Sequence, residues 1–206
     1  MRAESKSFSY LSEIQTFEVP FFQRAYVWKK ENWEDLFDDL IRVDQRHFLG
    51  SIILKRVMRQ GGLTLTQSNV SVIDGQQRIT TLSILLKAIY DSFSDEVKKN
   101  AADAIKNTLF YKKSKTSSEY LVKLKHSKVD RIEFEKVIGS VSDSGISSIG
   151  EEEISNLDVD DENSPHRILC CYKYFSERLQ DYGDDDRDAL FNSLLNDENK
   201  MLVIIE

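Results

Sequence analysis

The chain has 206 residues, 40% of them hydrophobic, which suits one domain of ordinary size with a sizeable core. Its formal net charge of −7 argues against a broadly basic nucleic-acid binder. No run approaches the ~18 apolar residues of a membrane span, and residues 1–6 lack the apolar centre of a signal peptide.

The charge is unevenly spread. Residues 1–90 carry 12 Lys/Arg and 10 Asp/Glu, whereas residues 91–206 carry 16 and 25. The acidic excess gathers at 151–153, 158–162 and 184–186, which read as solvated loops, so a local basic patch and a DNA partner stay compatible with the total. The two cysteines, Cys170 and Cys171, are adjacent, which suits neither a disulfide nor a zinc site and points to a reduced, cytoplasmic compartment.

In chain order, Phe17 to Pro20 alternates and stops at proline, as a short strand does. Residues 21–30 form an aromatic and basic loop. Trp33, Leu36, Phe37, Leu40 and Ile41 then recur at helical spacing. Residues 48–73 read as a long β-hairpin turning at Gln60-Gly61-Gly62, with Gly50 inside its first strand. Helices are expected over roughly 76–92 and 94–109, and again over 132–138 at the end of a lysine-rich stretch. Residues 139–164 are rich in Ser, Gly, Asp and Glu, and read as a mobile insertion or linker. Pro165 stands where a helix can begin, and Ile168, Leu169, Tyr172, Phe175 and Leu179 continue it. A short helix over 187–195 and a strand over 201–206 follow. That strand has no closing element, as expected of a piece of a longer chain.

Two segments carry the chemistry. In the first, the apolar run ending at Ile73 stops at Asp74-Gly75, and Gln76, Gln77 and Arg78 open a helix. A helix start carries unpaired N–H groups and about half a positive charge, so it suits anions, and arginine is shaped for a forked contact to phosphate. The residues alone leave a second reading open. Asp74 as N-cap and Gln77 three residues on would form a capping box, worth ~1 kcal/mol with no ligand. The second segment runs from Pro20 to Trp28. Its aromatics either plug the core or stack on bases, while Gln23 and Arg24 bring donors that need partners. Of the three histidines, His47 precedes a strand, and His126 and His166 lie in polar sequence. No metal-ligand spacing, phosphate-binding glycine loop or nuclease signature appears.

Pro20-Phe21-Phe22-Gln23-Arg24-x-Tyr26-x-Trp28, Phe48-Leu49-Gly50-Ser51-Ile52 and Asp74-Gly75-Gln76-Gln77-Arg78-Ile79-Thr80-Thr81-Leu82 stand in the order and spacing of the DUF262 family. The chain resembles that family, the N-terminal domain of GmrSD-type bacterial restriction proteins, most closely over residues 14–92. The resemblance implies an α+β fold. Residues 1–92 would form a small mixed sheet with a core like those of ParB and sulfiredoxin. Residues 93–206 would form a variable helical region.

The resemblance also implies anti-phage defence, binding and hydrolysis of a nucleoside triphosphate with Mg2+, and coupling to a C-terminal nuclease domain or subunit outside this chain. Asp74, Gln77 and Arg78 would carry catalysis, and Asp74 would position a water or the magnesium. Gln23, Arg24, Tyr26, Gly75, Gln76, Gln77, Arg78, Thr80 and Thr81 would hold the nucleotide, and no metal site of the protein's own is expected. Phe22, Gln23, Arg24, Tyr26 and Trp28 would face DNA, foreign or modified. A homo-oligomer is compatible with the family, and a membrane is not implied. Two other readings compete. In one the turn holds a DNA phosphate without hydrolysis. In the other the domain is an interaction module that docks through its acidic surface.

Overall fold

The computed structural model describes residues 2–41, 47–57, 69–114, 116–196 and 200–205. The chain begins with strand β1 (Ala3–Lys6), a 3-10 turn (Phe8–Glu13), β2 (Thr16–Glu18) and helix α1 (Lys30–Ile41). Then come β3 (His47–Arg56), β4 (Asn69–Asp74), α2 (Gln76–Ser92) and α3 (Asp95–Leu109). Short strands β5 (Phe110–Lys112), β6 (Tyr120–Val122) and β7 (Leu124–Lys125) lead to α4 (Lys128–Ile138). The hairpin β8 (Val141–Ser142) and β9 (Gly145–Ile146) precedes α5 (Glu151–Ile154), α6 (Arg167–Arg178), a 3-10 turn (Leu179–Asp181), α7 (Asp184–Asn196) and β10 (Lys200–Ile205).

The main sheet has the order β1-β10-β3-β4-β2-β7. It is mixed: β1 with β10 and β3 with β4 are antiparallel, and the other pairs are parallel. With the helices packed on it, the fold is α+β, as expected. The anticipated hairpin is present as the β3–β4 pair, with Leu54 opposite Val72. Its turn at Gln60-Gly61-Gly62 lies outside the described residues. β7 and β10 both join the sheet, so it draws strands from both sides of residue 92.

α2 is the centre of the molecule. It touches α3, α4, α6, α7 and β3, and 14 of its 17 residues are buried. Ile79, Leu82, Leu85, Leu86 and Ile89 are fully enclosed, each contributing about 1.5–3 kcal/mol of apolar burial. Thr80, Thr81 and Ser83 are tolerated in this helix because each hydroxyl donates to the carbonyl four residues back, at 2.7–2.8 Å.

Residues 139–164, expected as a mobile insertion, carry regular structure, and Ile146, Ile149, Ile154, Leu157 and Val159 pack against the core. Lys29–Glu162, Lys30–Asp160 and Lys136–Glu153 ion pairs join the segment to α1 and α4. His126 does not lie in polar surroundings as its sequence suggested. It is buried edge-on against Phe134 and shares a hydrogen bond with Thr80. Among the described residues no helix is long and apolar enough to cross a membrane.

Candidate functional site

β4 ends at Asp74 and α2 begins at Gln76, so Gly75 alone turns strand into helix. It sits at φ +89° and ψ +11°, a left-handed conformation that strains residues with a side chain. A Cβ there would also lie 2.9 Å from the Ser51 carbonyl oxygen, so β3 closes against the turn. The first hydrogen bond of the helix runs from the Ile79 N–H to the Gly75 carbonyl at 3.0 Å. The N–H groups of Gln76, Gln77 and Arg78 therefore have no helical acceptor, and they form the positive end of α2. Asp74 is exposed beside them.

The capping box does not form. Gly75 occupies the N-cap, and Gln77 reaches to the aromatic loop instead. Its Oε1 accepts the Val27 N–H at 2.8 Å, and its Nε2 donates to the Ala25 carbonyl at 3.1 Å. Gln76 makes a third tie, with Nε2 donating to the Arg24 carbonyl at 2.6 Å. Gln23 closes the same corner by donating to the Ile73 carbonyl at 2.9 Å. Three glutamines thus hold the aromatic loop to the end of β4 and the start of α2.

Arg78 lies between Trp28 and Gly50. Its guanidinium carbon is 5.8 Å from the Trp28 ring centroid, and NH1 reaches the Ser51 carbonyl at 3.4 Å. Gly50 has φ +107°, and a Cβ at that position would overlap the guanidinium. The berth of Arg78 therefore depends on a glycine in the middle of β3. Burial lowers the Arg78 pKa from its ordinary value, and the nearby Asp74 charge opposes that shift. Among the described residues, two buried side-chain polar atoms have no hydrogen-bond partner: Gln76 Oε1 and Arg78 Nε. They sit two residues apart on the first turn of α2.

Other expected site residues are placed elsewhere. Thr80 and Thr81 are fully buried, with hydroxyls committed to helix carbonyls and to His126 and Tyr26 respectively. They do not face the surface of the turn. The Tyr26 hydroxyl is enclosed by Thr81 at 2.6 Å, Trp33 Nε1 at 2.9 Å and Cys171 Sγ at 3.5 Å. Burial raises that phenol's pKa well above its ordinary value. Tyr26 is a core anchor of the loop, with its backbone N–H held by Asp130 at 2.9 Å. Phe22 and Arg24 are exposed, Trp28 is half-buried under Arg78, and Phe21 packs edge-on to Phe22 at 5.7 Å. Phe21 and Phe22, 89% and 70% exposed, form with Val27, Phe48 and Ile73 an exposed apolar set on the elements around the turn.

Sequence reasoning omitted Gly50 from the site. The signal was present, because a glycine inside a strand pattern marks a close approach of another group.

A scan against protein families matches residues 8–206 to the GmrSD restriction endonuclease, N-terminal domain. The chain belongs to this family. The GmrSD match runs past the three motifs and through α3 to β10, so the helical region is GmrSD-type sequence as well. A comparison with curated proteins finds no match. The GmrSD assignment identifies a restriction-protein domain whose three motif segments meet around the start of α2.

Proposed function

We propose that the Asp74–Arg78 turn binds and hydrolyses a nucleoside triphosphate, and that this regulates a nuclease domain outside this chain. The observation that carries the reading is the pair of unpartnered buried atoms, Gln76 Oε1 and Arg78 Nε, beside three helix-terminal N–H groups. Native interiors rarely leave such atoms unpaired, and each costs about 1–3 kcal/mol if nothing binds it.

The two atoms differ in kind. Arg78 is a donor and a charge, suited to phosphate. Gln76 offers its acceptor, because its amide nitrogen is used by Arg24. A phosphate has no hydrogen to give it. The partner of Gln76 is a ribose hydroxyl, a base amine or a water, so a nucleotide fits the turn better than bare polyphosphate does. Gln77 has both amide atoms engaged with the loop and acts as a positioning residue. Thr80 and Thr81 make no contact with the nucleotide in this arrangement, and Tyr26 supports the loop from the core.

Magnesium, the usual companion of a triphosphate, needs one or two protein carboxylates and takes its other ligands from phosphate and water. The exposed Asp74 fits that demand, and bound magnesium would neutralise phosphate charge there. No group of three or more metal-binding side chains occurs among the described residues. In the hydrolysis, a water oxygen attacks the γ-phosphorus and the bond to the bridging oxygen breaks. Nucleoside diphosphate and phosphate leave, and the proton passes to solvent. Asp74 orients the water. Arg78 and the helix N–H groups stabilise the charge that builds on the phosphoryl oxygens.

Phosphate release from GTP, ATP, CTP and UTP tests this. Turnover of at least one nucleotide is expected, with a fall of 100-fold or more in Asp74→Asn and Arg78→Ala variants that keep the wild-type circular dichroism. Unchanged turnover in both variants would overturn the assignment. The exposed Phe21–Phe22 pair next to Arg24 supports a second reading, in which the turn holds a DNA phosphate. Salt-dependent DNA binding lost in Arg78→Ala, without turnover of any nucleotide, would select it.

A further inference from the structure

A second surface has chemistry of its own, away from the Asp74 turn. It lies beyond the β7 edge of the main sheet, where β5 and β6 pair as a two-stranded ribbon with Tyr111 opposite Leu121 and Lys112 opposite Tyr120. Residues 106–136 carry nine Lys/Arg and four Asp/Glu, a basic island in a chain of net charge −7. The ribbon is its centre. Lys125 Nζ lies 5.5 Å from the centroid of the Tyr111 ring, and Lys112 Nζ lies 5.5 Å from that of Tyr120.

Two clefts flank the ribbon, one of about 650 Å3 and one of about 340 Å3, and both tyrosines line each of them. Lys125, Arg131 and Lys136 stand in the larger cleft with one carboxylate, Glu135. Lys106, Lys112 and Lys123 stand in the smaller with one carboxylate, Glu13.

These cations are not equally free. Arg131 pairs with Glu135 at 2.8 Å, Lys136 with Glu153, Lys113 with Glu119 at 2.9 Å and Lys106 with Asp103 at 3.8 Å. Lys123 is buried and donates to the Leu11 and Ser12 carbonyls. Lys112 and Lys125 have no carboxylate partner among the described residues; each is held over a ring. An ammonium on a ring keeps its N–H donors for an anion, while the ring offers a flat apolar face. Alternating cations and aromatic faces along a cleft are what an unpaired nucleic-acid strand meets, with phosphates on the cations and bases on the rings. A duplex presents phosphates only and keeps its base faces stacked inside.

We propose that the β5–β6 ribbon and its two clefts bind single-stranded nucleic acid, at a site separate from the Asp74 turn. Lys112 and Lys125 hold the backbone, and Tyr111 and Tyr120 stack the bases.

The test is fluorescence anisotropy with labelled 12-mers of dT and U and with a 12-base-pair duplex, from 50 to 300 mM NaCl. A single strand is expected to bind at least 10-fold tighter than the duplex and to weaken with salt. Lys112→Glu/Lys125→Glu should abolish the binding, and Tyr111→Leu and Tyr120→Leu should each weaken it by about 10-fold. All these variants should keep the wild-type circular dichroism and a cooperative melt, and Arg78→Ala should leave single-strand binding unchanged. Absence of single-strand binding overturns the proposal. So does equal binding of the duplex, or indifference to the tyrosine changes, since either would mean phosphate contact alone. Loss of binding in Arg78→Ala would place the strand at the Asp74 turn instead.

Discussion

Arg78 is held by what its neighbours lack. Gly50 offers the guanidinium a side-chain-free floor, and Trp28 covers the other face. In Gly50→Ala the new methyl group would meet the guanidinium, at a φ of +107° that alanine resists. The expected cost is about 3 kcal/mol, combining backbone strain and overlap. Urea unfolding should show it, and adding Arg78→Ala should return roughly a third of the loss by removing the overlap alone. His126 gives a pH signature. Burial pushes its pKa from 6.5 down to about 4. The unfolded chain therefore takes up a proton that the folded chain refuses, and stability falls as pH drops from about 6.5 to 4. The full effect is on the order of 3 kcal/mol. Asp130, its nearest carboxylate at 3.9 Å, has a pKa raised by burial and offsets part of this at the acid end. His126→Gln keeps a partner for Thr80, and its melting temperature should fall less than that of wild type over the same interval. Parallel curves for the two proteins would contradict the account.

At the scale of elements, the aromatic loop and α2 behave as one unit. Gln77→Leu removes the partners of the Val27 N–H and the Ala25 carbonyl, at a cost of about 1–2 kcal/mol for these part-buried groups. The chain has two tryptophans, and Trp33 is wholly buried. Increased acrylamide quenching in the variant would report release of Trp28, and unchanged quenching would mean that the loop is held otherwise. A second junction joins α2, α6 and the 139–164 segment. Lys87, with no exposure, lies 2.5 Å from both Asp91 oxygens, which also accept from Ser148 at 2.6 Å and Tyr172 at 2.7 Å. Asp91→Ala strands a buried ammonium and should destabilise by about 3–5 kcal/mol. Lys87→Met should cost far less, because Asp91 keeps two donors.

The same scale explains what the sequence could reveal. The α1 periodicity, the bounds of α2 and the β3–β4 pairing were legible because each pattern is local and long enough to repeat. β5, β6 and β7 have two or three residues each, too few for an alternation to register, and β1 is a polar Ala-Glu-Ser-Lys strand paired with the far end of the chain. Gln77 was misread locally for a similar reason. A capping box needs three residues of context, whereas its actual partners lie about fifty residues upstream. Thr80 and Thr81 looked like surface donors because a helix buried on every side cannot be told from an amphipathic one over a single turn.

For the whole molecule, charge and burial divide the tasks. The acidic excess lies largely in 139–164 and α7, part of it paired with Lys29, Lys30 and Lys136. The basic island sits around β5 and β6, and the Asp74 turn lies at the start of α2, which packs on α3, α4, α6 and α7. That helix links the turn to the body of the domain, so a ligand that orders its first residues acts on the element with the most packing partners. The measurement that tests this most directly is calorimetric titration of the four nucleoside triphosphates with Mg2+ into wild type and Arg78→Ala, with inorganic tripolyphosphate beside them. Saturable binding of at least one nucleotide is expected, with weaker binding of tripolyphosphate because Gln76 goes unpartnered, and loss of both in Arg78→Ala. Equal nucleotide binding by wild type and variant would contradict this.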